Sequence, residues 1–506
     1  MRRNVRVLVG GLVTTTAMVL TTTVAGVIPA SAGATTQPSV PPGSVTQVSL
    51  PAPTTKSTAA QRQLPSSRFT IGTRDRLLTT GKLAWTGIGG LTFDSVYQYV
   101  SGTGPGTKGD YHVSTMVAFA QRAQLLKELP VLTYMRLNGN YKGDSSLPAA
   151  CQATCTQGDT AKRNLDHLND PSFMQPYFTG LVDAFQQLDA QYTGQMVMHF
   201  EPDLSGYAQQ LSIDRARCAT DCTTYGAADD PSGVRASVAA SGIKELSAFP
   251  DTLQGFFSAV LYLRDKYAPR VSLAYHVSDW ATAATGKTNG QDDQSNNISV
   301  GAVPVDAVAL GKRVAHFAEL NGATTADVPR PGPATSHFDL LYNDILDHDA
   351  GWMDVVRGRP DYWWDSENID VPDFARWETY LGAITAQTGL KATVWQVPIG
   401  NTVYKVENNT TGHYQDNKVE YFFDHLSELP AIGVTGIIFG GGVSESTWGG
   451  DNQLDVTDNS QTVCTTYGSH SKTLRCPSLS TTLTDDDGGY LRTRAQDYFA
   501  HPMSLG

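Results

Sequence analysis

The fold class this 506-residue sequence predicts is α/β, a TIM-like (β/α)8 barrel with loop insertions. Short apolar runs alternate with longer segments of helical spacing along most of the chain, and strands separated by helices pair in parallel through right-handed crossovers. Seven or eight such units follow one another. They come without a G-x-G-x-x-G turn or a P-loop, which favours a closed barrel over a dinucleotide-binding sheet.

Taken in order, the first strand falls at Leu83–Ile88 or Ser95–Val100, with Phe69-Thr-Ile71 as an extra piece. The later strands fall at Val131–Leu137, Met196–Phe200, Val271–Val277, Phe338–Tyr342, Ala392–Val397 and Val434–Phe439. Each is short and rich in β-branched or aromatic residues, as strands buried on both faces are. Helical spacing covers His112–Leu129, Pro171–Gln191, Val234–Tyr267, Pro304–Leu320, Val371–Thr388, Asn417–Leu429 and Tyr490–Phe499. Asp170-Pro171 and Asp373 are suited to helix starts, because a carboxylate caps free N–H groups and a proline at N1 has none to satisfy.

The flanks read differently. Met-Arg-Arg-Asn-Val-Arg, the apolar segment Val7–Ile28 and Ala30-Ser31-Ala32 have the pattern of a bacterial Sec-type signal peptide, expected over residues 1–32 of a secreted, extracellular protein. Residues 33–66, rich in Thr, Ser, Pro and Ala, are expected to be a flexible linker, since they offer little apolar surface to offset ordering entropy. Residues 67–506 remain as a single catalytic domain. No other apolar run approaches the ~20 residues that cross a bilayer, so no membrane contact is expected after signal cleavage.

Net charge is −12, and losing the three arginines of residues 1–32 takes it to −15. Such a chain repels phosphate backbones and anionic membranes, which argues against nucleic acid as a partner. A monomer is expected, and the acidity favours neutral or cationic partners. Six cysteines form three close pairs, Cys151 with Cys155, Cys218 with Cys222 and Cys464 with Cys476, expected as local disulfides in an exported chain. Their intervals do not match zinc knuckles, and neither metal nor cofactor is expected.

Catalytic groups of a barrel gather where the strands end. The stretch Met196–Tyr207 delivers Glu201 and Asp203 there, in a turn with Pro202 and Gly206. Past the other strands come Tyr134, Asn138 and Asn140; His276, Asp279 and Trp280; Asp344, Asp347, Asp349 and Trp352; and Trp395 and Gln396. A sugar offers an apolar ring face for Trp or Tyr and hydroxyl edges for Asp, Asn, Gln and His, while cleaving its acetal takes two carboxyls. The expected pair is Glu201 with one of Asp344, Asp347 or Asp349, and Asp203 is the local competitor. Substrate contacts are expected from Tyr134, Asn138, His276, Asp279, Trp280, Trp352, Trp395, Gln396, His413 and Asp416, and Trp363, Trp364 and Trp448 are further stacking candidates. Plainer roles compete: His199 as a core histidine, Asp416 as a helix cap, Glu201 as a structural acid.

Six segments together resemble a group of exported bacterial proteins similar to (β/α)8 glycoside hydrolases. They are Tyr97-Gln-Tyr99, Leu129-Pro-Val-Leu-Thr-Tyr134, His199-Phe-Glu-Pro-Asp203, Asp347-His-Asp-Ala-Gly351, Val394-Trp-Gln-Val-Pro-Ile-Gly-Asn401 and Gly412-His-Tyr-Gln-Asp-Asn417, and the likeness spans most of residues 80–445. It implies a barrel acting on carbohydrate and names no sugar. Glu-Pro-Asp is also similar to a strand-end motif of family 6 cellulases, whose distorted barrel has fewer strands. The Asn-Glu pair of the large retaining barrel clan is absent, which points away from a retaining course. The expected function is a secreted glycoside hydrolase. A barrel that binds glycan without cutting it is one alternative; a metal-dependent phosphodiesterase with Glu201, Asp203 and His276 as ligands is another.

Overall fold

Eight parallel strands close into a barrel, each hydrogen-bonded to the next and the last to the first. The computed structural model describes residues 45–54, 62, 67–78, 80–83, 86–87, 90–100, 113–138, 160–210, 230–283, 298, 305–333, 336–345, 348–401, 415–441, 446–447 and 489–505. The strands are β1 Thr70–Arg74, β2 Ser95–Val100, β3 Leu129–Tyr134, β4 Met196–Phe200, β5 Val271–Val277, β6 Leu340–Asp344, β7 Ala392–Val397 and β8 Val434–Phe439. Helices packed around them are α1 Val113–Leu125, α2 Thr160–Asn169, α3 Pro171–Gln191, α4 Leu253–Tyr267, α5 Ala307–Leu320, α6 Ala350–Arg357, α7 Phe374–Thr388, α8 Lys418–His425 and α9 Tyr490–Ala500. Among the described residues no helix is long and apolar enough to cross a membrane.

The expected positions of β4, β5, β7 and β8 match the observed ones, while the first strand differs. The Phe69-Thr-Ile71 piece belongs to β1 itself, and Leu83 forms only an isolated bridge with Leu77. Gly72 obscures the pattern of β1 and is needed there, because a Cβ at that position would lie 2.1 Å from Ser95 Oγ on β2. The helix expected over Val234–Tyr267 is instead a series of 3-10 turns followed by α4. Gly242 takes a left-handed conformation with φ of 77°, and the chain resumes a helix at Leu253, where the Thr252 hydroxyl accepts from Gly255 N–H.

Side-chain alternation divides the interior into two cores. Tyr97, Val131, Val197, Ala274, Leu340, Tyr342, Trp395 and Ile438 form the cluster enclosed by the strands. The opposite strand faces, with Leu132, Met198, Phe200, Leu273 and Val394 among them, pack against the helices.

Residues 45–54 depart from the flexible linker expected over 33–66. Val48 bridges Ile243, Leu50 is buried with its N–H on the Glu245 carboxylate, and Pro51 C=O accepts from the Tyr267 hydroxyl. Arg62 pairs with Asp265 at 2.9 Å and Asp339 at 3.4 Å. Average composition conceals Val45, Val48 and Leu50, which supply enough apolar surface to dock this piece. The six cysteines lie outside the described residues.

Candidate active site

At the C-terminal end of the barrel, inward-facing side chains of neighbouring strands form a hydrogen-bonded row. His199 Nε2 lies 3.1 Å from His276 Nδ1, and His276 Nε2 lies 3.2 Å from Asp344 Oδ1. Asp203 Oδ1 approaches the same Nε2 at 3.9 Å. The histidines are buried, while the Asp203 and Asp344 side chains are 29% and 11% exposed, so the row opens outward at its carboxylate end. Burial, helped by the adjacent His276, holds His199 well below the usual imidazole range.

Aromatic rings wall the row. Trp395 lies 4.4 Å and Tyr342 4.6 Å from the His199 ring, and Tyr97 and Tyr99 flank Trp395 at 5.6 and 5.8 Å. Gln396 reaches the Tyr99 hydroxyl, and the Arg74 guanidinium sits 5.6 Å over the Tyr99 ring. After β4, Tyr207 and Trp280 pack 4.9 Å apart, both half-buried. Three non-glycine residues here take positive φ: Glu201 at 42°, Asp203 at 70° and Gln396 at 57°. Such torsions cost roughly 1–3 kcal/mol each and persist where the surroundings enforce them. At Asp203 the torsion accompanies the turn that brings its carboxylate to His276.

Glu201 does not join this row. Its carboxylate is buried, accepts from Tyr177 Oη at 2.8 Å, and accepts from the N–H groups of Arg136 and Leu137 at 3.1–3.3 Å. Tyr177 belongs to α3, so Glu201 fastens the ends of β3 and β4 to the helix layer. Burial, the largest influence, outweighs these donors and pushes its pKa to about 7. The expected pairing of Glu201 with an aspartate of the 344–349 turn is corrected: the carboxylates that meet are Asp203 and Asp344. A strand read with strict alternation gives no warning of the torsion at residue 201.

Other expected site residues are dispersed. Asp349 is buried and accepts from Thr447 Oγ1 at 2.7 Å; burial, then the nearby Asp416, drives its pKa well up. Asp416 accepts from Lys418 N–H and Ala350 N–H and pairs with Lys418 Nζ at 3.2 Å, a structural role at the starts of α8 and α6, while the N-cap of α8 is Asn417, which makes no side-chain cap hydrogen bond. Tyr134 faces the helices, stacked on Phe200, and Asp279 accepts from Asn343 Nδ2 at 2.7 Å. Asn138 accepts from Arg163, Trp352 lies under Arg357, and Trp363 and Trp364 are buried. Asn140, Asp347, His413 and Trp448 fall outside the described residues. His199, Tyr97, Tyr99, Arg74 and Tyr207 were not expected at the site. A barrel assignment applied to every strand could have found the first four, since they occupy inward positions near strand ends.

Among the described residues, Asp203, His276 and Asp344 form the group whose ligand atoms, all within 4.8 Å of one another, could approach one ion. The Nε2–Oδ1 contact of 3.2 Å is already a hydrogen bond, and an ion seated there would have to break it. Glu201, expected among the ligands of a metal-dependent phosphodiesterase, is not in this group.

No protein-family model matches the chain, and no curated protein does. Among solved structures it is similar to an endoglucanase from Humicola insolens, at 12% identity and a TM-score of 0.29 over 63% of this chain and 68% of that one. It is similar also to xylanase B from Clostridium stercorarium F9, at 12% identity and 0.37 over 75% and 89% of the two chains. A modular endo-β-1,4-mannanase from Cellulomonas fimi gives 11% and 0.36 over 77% and 68%. Likeness at this level leaves function to the chemistry of the site.

Proposed function

We propose that the protein is an exported glycoside hydrolase acting on a neutral polysaccharide or oligosaccharide, with Asp203 and Asp344 as its two carboxyls. The observation that supports this most directly is the meeting of both carboxylates at His276, with their side chains 29% and 11% exposed, beside aromatic rings at the strand ends. Catalytic groups of barrels gather on this side, and acetal cleavage takes two carboxyls with different protons. Asp344, receiving the His276 N–H, is the nucleophile. Asp203, the more exposed, is the acid that hands a proton to the leaving oxygen.

In the first step an Asp344 oxygen bonds to the anomeric carbon as the glycosidic C–O bond breaks, and the Asp203 proton passes to the leaving oxygen. Water then attacks the same carbon, giving a proton to Asp203 and releasing Asp344. Trp280 and Tyr207 offer apolar faces for a sugar ring beside Asp203. One oxygen of each carboxylate lies within 4.8 Å of the other's, a close approach that favours the ~5–5.5 Å spacing of retaining enzymes over the ~6.5–9.5 Å of inverting ones. This reading departs from the inference drawn from the missing Asn-Glu pair.

The test is hydrolysis of a panel of neutral polysaccharides by wild type, Asp203→Asn and Asp344→Asn. Each variant is expected to lose ~10²–10⁴-fold in kcat while unfolding at the wild-type temperature. NMR of the first product should find retained anomeric configuration. Unchanged turnover in either variant, or activity abolished by a chelator, would remove the acid–base pair.

A further inference from the structure

Behind the carboxyl pair stands a pair of histidines that the proposed reaction uses only at one end. Two ring nitrogens facing each other at 3.1 Å share one proton, so between His199 Nε2 and His276 Nδ1 one donates and the other accepts. We propose that His199 is a positioning residue whose Nε2–H occupies the Nδ1 lone pair of His276, keeping His276 neutral with its own proton on Nε2, toward Asp344 and Asp203. The inference rests on Asp203 and Asp344 being the acid–base pair, and it adds what controls their proton.

The surroundings favour this tautomer. His199 is wholly buried between the Trp395 and Tyr342 rings, and among the described residues its Nδ1 has no hydrogen-bond partner. Burial keeps its ring neutral, so it has a single N–H to give. Among the described residues, the titratable groups facing His276 are His199 from β4, Asp203 from the turn after β4 and Asp344 from β6; Trp395 of β7, 5.7 Å away, carries no charge. With Nδ1 open, a histidine beside two carboxylates would take a second proton. The resulting imidazolium would favour the ionised form of both carboxylates and so take away the proton that the leaving oxygen needs.

Imidazole ¹⁵N spectra of the full-length protein, followed from about pH 5 to 8, test the arrangement together with the pH dependence of kcat/KM. Wild-type His276 is expected to stay neutral with its proton on Nε2. His199→Phe keeps a ring between Trp395 and Tyr342 but has no N–H. In it His276 should titrate as an imidazolium, and the alkaline limb of kcat/KM should move down by at least about one unit. His199→Gln, with an amide N–H, should restore both. Wild-type His276 protonated on Nδ1, or a Phe variant with unchanged titration and pH profile, would overturn the proposal. Should the Phe variant not fold, the wild-type tautomer decides. The spectra need no substrate, so a protein that cleaves no glycan would end the hydrolase reading while leaving this one to be judged by them.

Discussion

Glu201 holds the strand ends together through its acceptor oxygens. Glu201→Gln would set an NH₂ against Tyr177 O–H and two backbone N–H groups, and a buried donor left facing donors costs ~1–3 kcal/mol. The variant should therefore unfold at lower temperature in calorimetry. Wild-type stability with total loss of glycan cleavage would return Glu201 to the chemistry. The pH dependence has a definite sign. Burial raises the folded pKa from 4.5 to about 7, so the folded chain holds this proton more tightly than the unfolded one. Its contribution is complete below about pH 4.5 and lost as pH rises through about 7. The wild type's advantage in melting temperature over Glu201→Gln should accordingly be larger at about pH 5 than at about pH 8. Buried His199, with a lowered pKa, acts in the opposite sense, losing stability on acidification, and the variant comparison separates the two.

Among the elements, α5 and α7 pack closely at a glycine. A Cβ on Gly311 of α5 would lie 2.5 Å from Tyr380 C=O and 2.9 Å from the Ala383 Cβ on α7. Gly311→Ala gains ~1 kcal/mol of helix propensity. Overpacking against backbone costs ~1–3 kcal/mol, so the net effect should be a lower denaturant midpoint. A midpoint at or above wild type would show that the helices separate easily. Asp373, expected near a helix start, does cap α7 by accepting from Arg376 N–H at 2.7 Å. That start was legible because capping is a local interaction. The single helix expected over 234–267 was not, because amphipathic spacing continues through 3-10 turns as it does through a helix.

Over the whole molecule, the docked piece at 45–54 and Arg62 bind the N-terminal side to α4 and the residues beside it. A chain starting at residue 67 would expose the Leu50 site, worth ~1.5–3 kcal/mol if fully buried, and remove the Arg62 pairs with Asp265 and Asp339. It should melt a few degrees lower, and an unchanged melting temperature would make the docking incidental. The sequence by itself determined the barrel, because β-branched runs and helical spacing are written in neighbouring residues and parallel strands joined by helices have few ways to close. It also determined that Asp203, His276 and Asp344 stand near strand ends. Tertiary structure alone decided which of those groups face one another: a left-handed torsion at Glu201 and another at Asp203 send one carboxylate into the helix layer and the other toward the axis. Such torsions are imposed by packing from residues distant in the chain, including Tyr177, His276 and Asp344, and no local pattern records them.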